Sequence, residues 1–291
     1  MSGIVFACVA PHGWNLIPEL DDDGGAPENR AALQAIGRRI TDAGTDVIVI
    51  ATPHNVRVDG AIAMAAVARG AGTLHEGVNM VEMNVPVDGP LTDAIANAAR
   101  ARGLPIAMVG YAGNQRSESA MPLDWGTMVP LWFMGHGRNM VGHGTVLSPV
   151  PTEDGGPPIV LINPSRSLPL ESLVAFGEAI AEAAGNDGRR VTFVASCDWA
   201  HAHAGSRYGA SPDAAEVDGL VVEALKASDP GRLIDLDPDK VKNAAIDGLW
   251  QALMLAGVMN KVPMRGTVLC YEVVERYSVG MLVAAYEPVT A

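Results

Sequence analysis

The sequence predicts an α/β fold: a single domain over residues 1–291 with a central, mostly parallel mixed sheet flanked by helices. Short apolar runs at 4–10, 47–52 and 191–195 are rich in β-branched residues, the pattern of strands buried on both faces. An amphipathic stretch joins the first two at the spacing of a right-handed parallel unit. Each run also ends in polar, titratable residues: Pro11-His12-Gly13, Pro53-His54-Asn55, and Asp198 followed by His201 and His203. Open α/β sheets keep their chemistry beyond the carboxyl ends of their strands, so the active site is expected there.

In order, residues 13–27 are irregular and contain Asp21-Asp22-Asp23 among Gly and Pro, the composition of a solvated loop. A helix is predicted over 28–43, with Leu33, Ile36 and Ile40 on one face and Gly44 as its stop. The second strand follows at 47–51, and a weaker one at 62–67. Residues 69–86 carry no clear pattern. A helix at 91–102 and a strand at 105–109 come next. Residues 110–130 are polar and irregular, and a loop that long is usually functional or disordered. Residues 135–158, with His136 and His143, are read as a second surface loop. The sheet resumes at 159–162, a helix covers 170–184, and 191–195 is the strand around which the rest is organised. Residues 212–227 form an amphipathic helix with Val217, Leu220, Val221 and Leu225 facing inward. Asp237-Pro238 is a good helix start; that helix is interrupted near Asp247-Gly248 and resumes over 249–256. Runs at 267–273 and 278–286 close the sheet as an antiparallel pair.

The bulk composition excludes several classes. Hydrophobic residues make up 48% of the chain, ample for a sizeable core. No run approaches the roughly 18 uninterrupted apolar residues of a membrane span. A formal charge of -13, without clustered Lys and Arg, argues against nucleic acid. Cys8, Cys197 and Cys270 are odd in number and far apart, so no disulfide framework is expected. The first apolar run lacks a basic lead, and a cytoplasmic location is expected.

His12 and His54 both follow a strand and both sit beside proline. Two imidazoles at neighbouring strand ends, with one carboxylate, would make the donor set preferred by non-haem Fe(II) enzymes that use oxygen. One of His201 and His203 is a candidate general base, since imidazole titrates near neutral pH. Asp198 is placed to orient it, or to cap the turn. Trp14, Trp125, Trp199 and Tyr208 are candidates either for flat walls around an aromatic ring or for core. His75, His136 and His143 have no strand-end placement and are expected at the surface.

Strand–Pro-His twice, Leu-Asp-x-Gly-Thr-x-x-Pro-Leu from Leu123 to Leu131, and Ala-Ser-x-Asp-x-x-His from Ala195 to His201 occur in that order. With the closing Tyr271-Glu272 and Val279-Gly280, the chain resembles the class III extradiol ring-cleaving dioxygenases over nearly its whole length. The resemblance implies Fe(II) held by His12 and His54, and His201 as the acid–base residue. It also implies a catechol-type aromatic substrate that is opened beside its diol by O2. The family's third ligand is a Glu; the matching stretch here offers Asp247, with Glu272 and Glu275 as the other C-terminal carboxylates. Asp247 could instead cap the helix that follows it. Family members commonly read Asp-His-Gly where this chain has Asp124-Trp125-Gly126, and that His contacts substrate in them. An indole donates one hydrogen bond and accepts none. Asp124, Trp125, His203, Trp14 and Tyr208 are therefore the residues expected around the substrate. A homo-oligomer is expected, with a small partner subunit left open. Two other functions compete: a metal-binding protein without oxygenase activity, like the Memo proteins, which carry Cys at the third position, and a Zn-dependent hydrolase.

Overall fold

The computed structural model describes residues 2–21, 25–137 and 156–289. His143 lies outside them. The apolar runs become strands β1 (Gly3–Ala10), β2 (Val47–Ala51), β3 (Ile62–Ala65), β4 (Arg69–Glu76), β5 (Asn79–Pro86), β6 (Ile106–Val109), β7 (Ala120–Pro122), β8 (Ile159–Asn163), β9 (Arg190–Ser196), β10 (Met264–Val274) and β11 (Val279–Pro288). Helices α1 (Pro27–Asp42), α2 (Gly89–Ala101), α3 (Trp125–Leu131), α4 (Leu170–Asp187), α5 (Asp213–Lys226), α6 (Pro238–Asn243) and α7 (Leu249–Lys261) connect them.

The large sheet has eight strands in the order β10-β11-β1-β9-β2-β8-β3-β6. Its centre, β1-β9-β2-β8, is parallel, and antiparallel pairs occur at β1–β11, β10–β11 and β3–β8. The predicted α/β class and mixed sheet are what the chain forms. Side chains alternate between two cores because successive Cβ atoms point to opposite faces. Val47, Val49 and Ala51 pack with α2, α4, α5 and α7, whereas Ile48 and Ile50 pack with α1 and α3. Both faces of the central strands are thus covered, which is why they read as continuous apolar runs.

Several expectations need correction. Residues 69–86 form the β4–β5 hairpin, which β7 joins in parallel to make a separate three-stranded sheet. Residues 110–130 are accordingly no open loop, since they supply β7 and the start of α3. On α5 the buried stripe is Ala214, Val217, Val221, Ala224 and Leu225, while Leu220 falls outside it and is exposed. His136, expected at the surface, is fully buried. Its Nε2 donates to Pro157 O at 3.0 Å, and burial pushes its pKa down to about 4, so the ring is neutral. Asp237 caps α6 as expected, its side chain accepting from Asp239 N. Among the described residues no helix is long and apolar enough to cross a membrane.

Candidate active site

Strand register places the chemistry. Ala10 pairs with Ser196, and Ala51 with Ala195, so β1, β9 and β2 end at one level. The chain beyond each end carries a functional side chain into the same space: His12 after β1, His54 after β2 and Asp198 after β9. The two ends nearest each other are tied directly. Cys197 N donates to Ala10 O at 2.9 Å, and His12 N donates to Asp198 Oδ1 at 2.9 Å.

The fourth component arrives from the C-terminal region. Asp247 ends the connection between α6 and α7, and Gly248 follows it. A Cβ on Gly248 would lie 2.7 Å from Cys197 Cβ and 2.9 Å from Asp198 O, so only glycine lets this connection press onto the end of β9. The contact puts Asp247 Oδ1 where Asp198 N donates to it, at 3.2 Å. The cap at the start of α7 is Gly248, with no side-chain hydrogen bond, so Asp247 is not the cap of that helix.

His12, His54 and Asp247 converge. His12 Nε2 lies 3.3 Å from His54 Nε2, and Asp247 Oδ2 lies 3.6 Å from the first and 3.7 Å from the second. Cis donors at bond lengths of about 2.1 Å stand about 3 Å apart, so the three atoms suit one face of a single divalent ion. The tautomer of His12 agrees. Its Nδ1 lies 3.0 Å from Ser196 Oγ, and that hydroxyl donates to Gly126 O at 2.5 Å. Ser196 can then only accept from His12, which puts the proton on Nδ1 and leaves the Nε2 lone pair facing His54. Two imidazole nitrogens this close can share a hydrogen bond or ligate one cation between them. Burial opposes charge on His12, but Asp198 and Asp247 outweigh it and push its pKa up to about 9. Burial, and then the charge on His12, push His54 down to about 4. The donor set therefore fits a divalent metal.

His201 stands across Asp247, with Nε2 at 3.8 Å from Asp247 Oδ2. Its Nδ1 lies 2.8 Å from Trp199 O, and a carbonyl only accepts, so the proton is on Nδ1 and Nε2 is free to act as a base. This corrects the expected role of Asp198. The acceptor that orients His201 is a backbone carbonyl; Asp198 instead holds the backbone of His12 and lies 3.5 Å from His12 Nε2.

A cavity of about 430 Å³ opens over these groups, lined by His12, Asp198 and His201 below and by Trp14, Trp125 and Tyr208 at the sides. Trp125 lies over His54 with ring centroids 4.2 Å apart, and Trp14 is 6.1 Å from Trp125. Tyr208 stands edge-on to His201 at 6.1 Å. Trp199, a candidate for either wall or core, is fully buried in the core, and two residues expected near the substrate are placed differently. His203 faces Asp218 at 2.9 Å and is not among the lining residues. Asp124 accepts from Thr52 Oγ1 at 2.9 Å and from Thr127 Oγ1 at 2.5 Å, bracing the Thr52-Pro53-His54 turn from outside the cavity. Glu272 is engaged by Asn29 on α1, and Glu275 is exposed; neither belongs to the donor cluster. Sequence reasoning did not single out Ser196, or Arg207 and Arg276, which line the cavity mouth.

An α/β sheet with two imidazoles and a carboxylate at its strand ends has the make-up of a mononuclear metal enzyme. A family model described as the catalytic LigB subunit of aromatic ring-opening dioxygenase matches residues 7–282, and the chain belongs to that family. It is 23% identical over 268 residues to protein CA_C1420 of Clostridium acetobutylicum, a match covering 90% of this chain and 53% of the relative. The chain thus spans about half the length of that relative. The crystal structure of uncharacterized protein JW3007 from Escherichia coli K12 shares the fold, with a TM-score of 0.55 at 15% identity, covering 97% of this chain and 99% of that one.

Proposed function

We propose that the protein is an Fe(II)-dependent dioxygenase that opens a catechol-type aromatic ring beside its diol, using O2. The observation that carries this reading is the pairing of a two-imidazole, one-carboxylate donor set with an independent base. His12, His54 and Asp247 supply the donors, and His201 presents a free Nε2 at the same cavity. The metal would supply the Lewis acidity that favours loss of a phenolic proton and the redox route between substrate and oxygen. The chain's own residues do the rest. His201 Nε2 accepts a substrate proton, while Trp199 O keeps the ring in the tautomer that can do so. Trp14, Trp125 and Tyr208 offer apolar faces to a flat ring. With Trp125 packed on His54, the contact that a histidine makes in the resembled dioxygenases is replaced by an indole face. Substrates are therefore expected to be held there by stacking.

The Memo-like alternative calls for a thiolate ligand. Cys197, beside the site, donates its S–H to Gly248 O at 3.3 Å, and burial pushes its pKa well above the ordinary thiol range. The test is anaerobic reconstitution with Fe(II) or Zn(II), followed by a panel of catechols and aminophenols. Oxygen uptake with a new yellow ring-opened chromophore is expected from the Fe(II) protein alone. An Fe(II)-loaded protein that consumes no oxygen with any of them, beside a hydrolytic Zn(II) form, would overturn the proposal.

A further inference from the structure

Asp218 is 1% exposed on the inner face of α5, a position where a carboxylate must find hydrogen bonds to offset its loss of water. It finds three. Oδ2 accepts from Tyr271 OH at 2.7 Å and lies 2.9 Å from His203 Nε2, while Oδ1 accepts from Ala200 N at 2.9 Å. The last contact falls on the peptide between Trp199 and Ala200, whose carbonyl accepts from His201 Nδ1 at 2.8 Å. In a trans peptide the N–H and C=O point in opposite directions. One rigid amide therefore joins the carboxylate on one side to the imidazole on the other.

We infer that Asp218 is a positioning residue for His201, acting through the Trp199–Ala200 peptide. The inference rests on the reading of His201 as the base. A carboxylate bound to the N–H stops the amide from rotating, which fixes the carbonyl that selects the Nδ1–H tautomer. It also polarises the amide; hydrogen bonds in series strengthen one another by about 10–30%. The rest of the local structure is built to hold this arrangement. Trp199 N donates to Gly280 O at 2.9 Å and Gly280 N donates to Ala200 O at 3.0 Å, so β11 clamps both flanks of the peptide and leaves its own N–H to Asp218. Gly280 is glycine for a reason that belongs to Asp218. A Cβ there would lie 2.0 Å from Asp218 Oδ2 and drive the carboxylate off. Tyr271 and His203 hold the distal oxygen, so the carboxylate cannot swing away from Ala200.

The test reads the tautomer of His201 directly, by nitrogen NMR of histidine-labelled, Zn(II)-loaded protein, beside steady-state kinetics of the Fe(II)-loaded enzyme. In the wild type a single Nδ1–H form is expected. In Asp218→Ala, which leaves Ala200 N without its acceptor, the Nε2–H form should appear, and kcat should fall roughly 10- to 100-fold, the range for loss of an outer-shell partner, with little change in KM. Tyr271→Phe and His203→Gln remove contacts to Oδ2 but keep Oδ1 on Ala200 N. They are expected to lower thermal stability and leave the His201 tautomer as it was. Should Asp218→Ala not fold, Gly280→Ala displaces the same carboxylate and is judged by the same criteria. A folded variant with an unchanged Nδ1–H signal overturns the relay, as does an equal shift in Tyr271→Phe. The NMR result stands apart from turnover. A tautomer shift in a protein that never consumes oxygen supports the relay and counts against the ring-opening reading; turnover with an unmoved tautomer sinks the relay alone.

Discussion

Asp247→Ala is expected to lose its metal. The carboxylate is buried and is the single anionic member of the donor cluster, with Oδ2 at 3.6 and 3.7 Å from the two imidazoles. Two imidazoles 3.3 Å apart cannot by themselves define a face of an octahedron, and they bring no negative charge to a divalent ion. Loss of an outer-shell partner typically weakens metal binding about 10- to 100-fold; loss of this ligand should weaken it by more than that and abolish oxygen uptake. The stability cost is of a different kind. Asp198 N loses its acceptor, which for a buried donor is worth about 1–3 kcal/mol. Asp247→Asn keeps that acceptor and separates the two effects. Glu272→Ala and Glu275→Ala should bind metal normally, because the first carboxylate serves Asn29 and the second faces solvent. Metal content measured across the four variants decides the matter. If Asp247→Ala binds as tightly as the wild type, the ligand lies elsewhere.

His201→Ala is expected to keep its metal and lose about 100- to 10,000-fold in turnover, the range for general acid–base groups. The separation follows from geometry. His201 lies beyond the donor trio, 3.8 Å from a ligand oxygen, and its Nδ1 is committed to a backbone carbonyl. Its removal opens the cavity floor without disturbing Ser196, which fixes the tautomer of His12. His203→Ala should cost stability through Asp218 and affect turnover less. Loss of metal in His201→Ala, or a larger kinetic effect at His203, would reverse the roles assigned to the two histidines.

Much of the fold was legible because buried parallel strands write themselves as unbroken apolar runs. The histidines that follow two such runs were legible for the same reason: a polar residue at the end of a run marks where the strand leaves the core. The small sheet was not, because β4 and β7 pair across a long stretch of chain and Gly70 and Gly72 dilute the strand pattern. Asp198 was placed at the site but given the wrong neighbour. The group that orients His201 is Trp199 O, and a pattern of side chains carries no record of a backbone carbonyl. Asp218 was missed in the opposite way. A polar residue in an amphipathic helix reads as solvated, and only the tertiary fold shows it facing inward.

Cys8 and Cys197 bear on a different property. Cys8 lies within β1 and Cys197 directly follows β9; both are fully buried, and burial raises both thiols far above their ordinary range. Only the thiolate reacts. In the closed protein these two sulfurs are therefore silent, and the rate at which a thiol reagent captures them is a clock for separation of the sheet's centre. Cys270, half-buried on the outer strand β10 and pushed up to about 12, keeps time for the edge instead. An ion that binds only the closed form slows the inner clock by one plus the ratio of its concentration to Kd, and leaves the outer clock alone. A mass-spectrometric time course with and without metal thus weighs the site's grip on an ion that is colourless and a reaction that need not turn over.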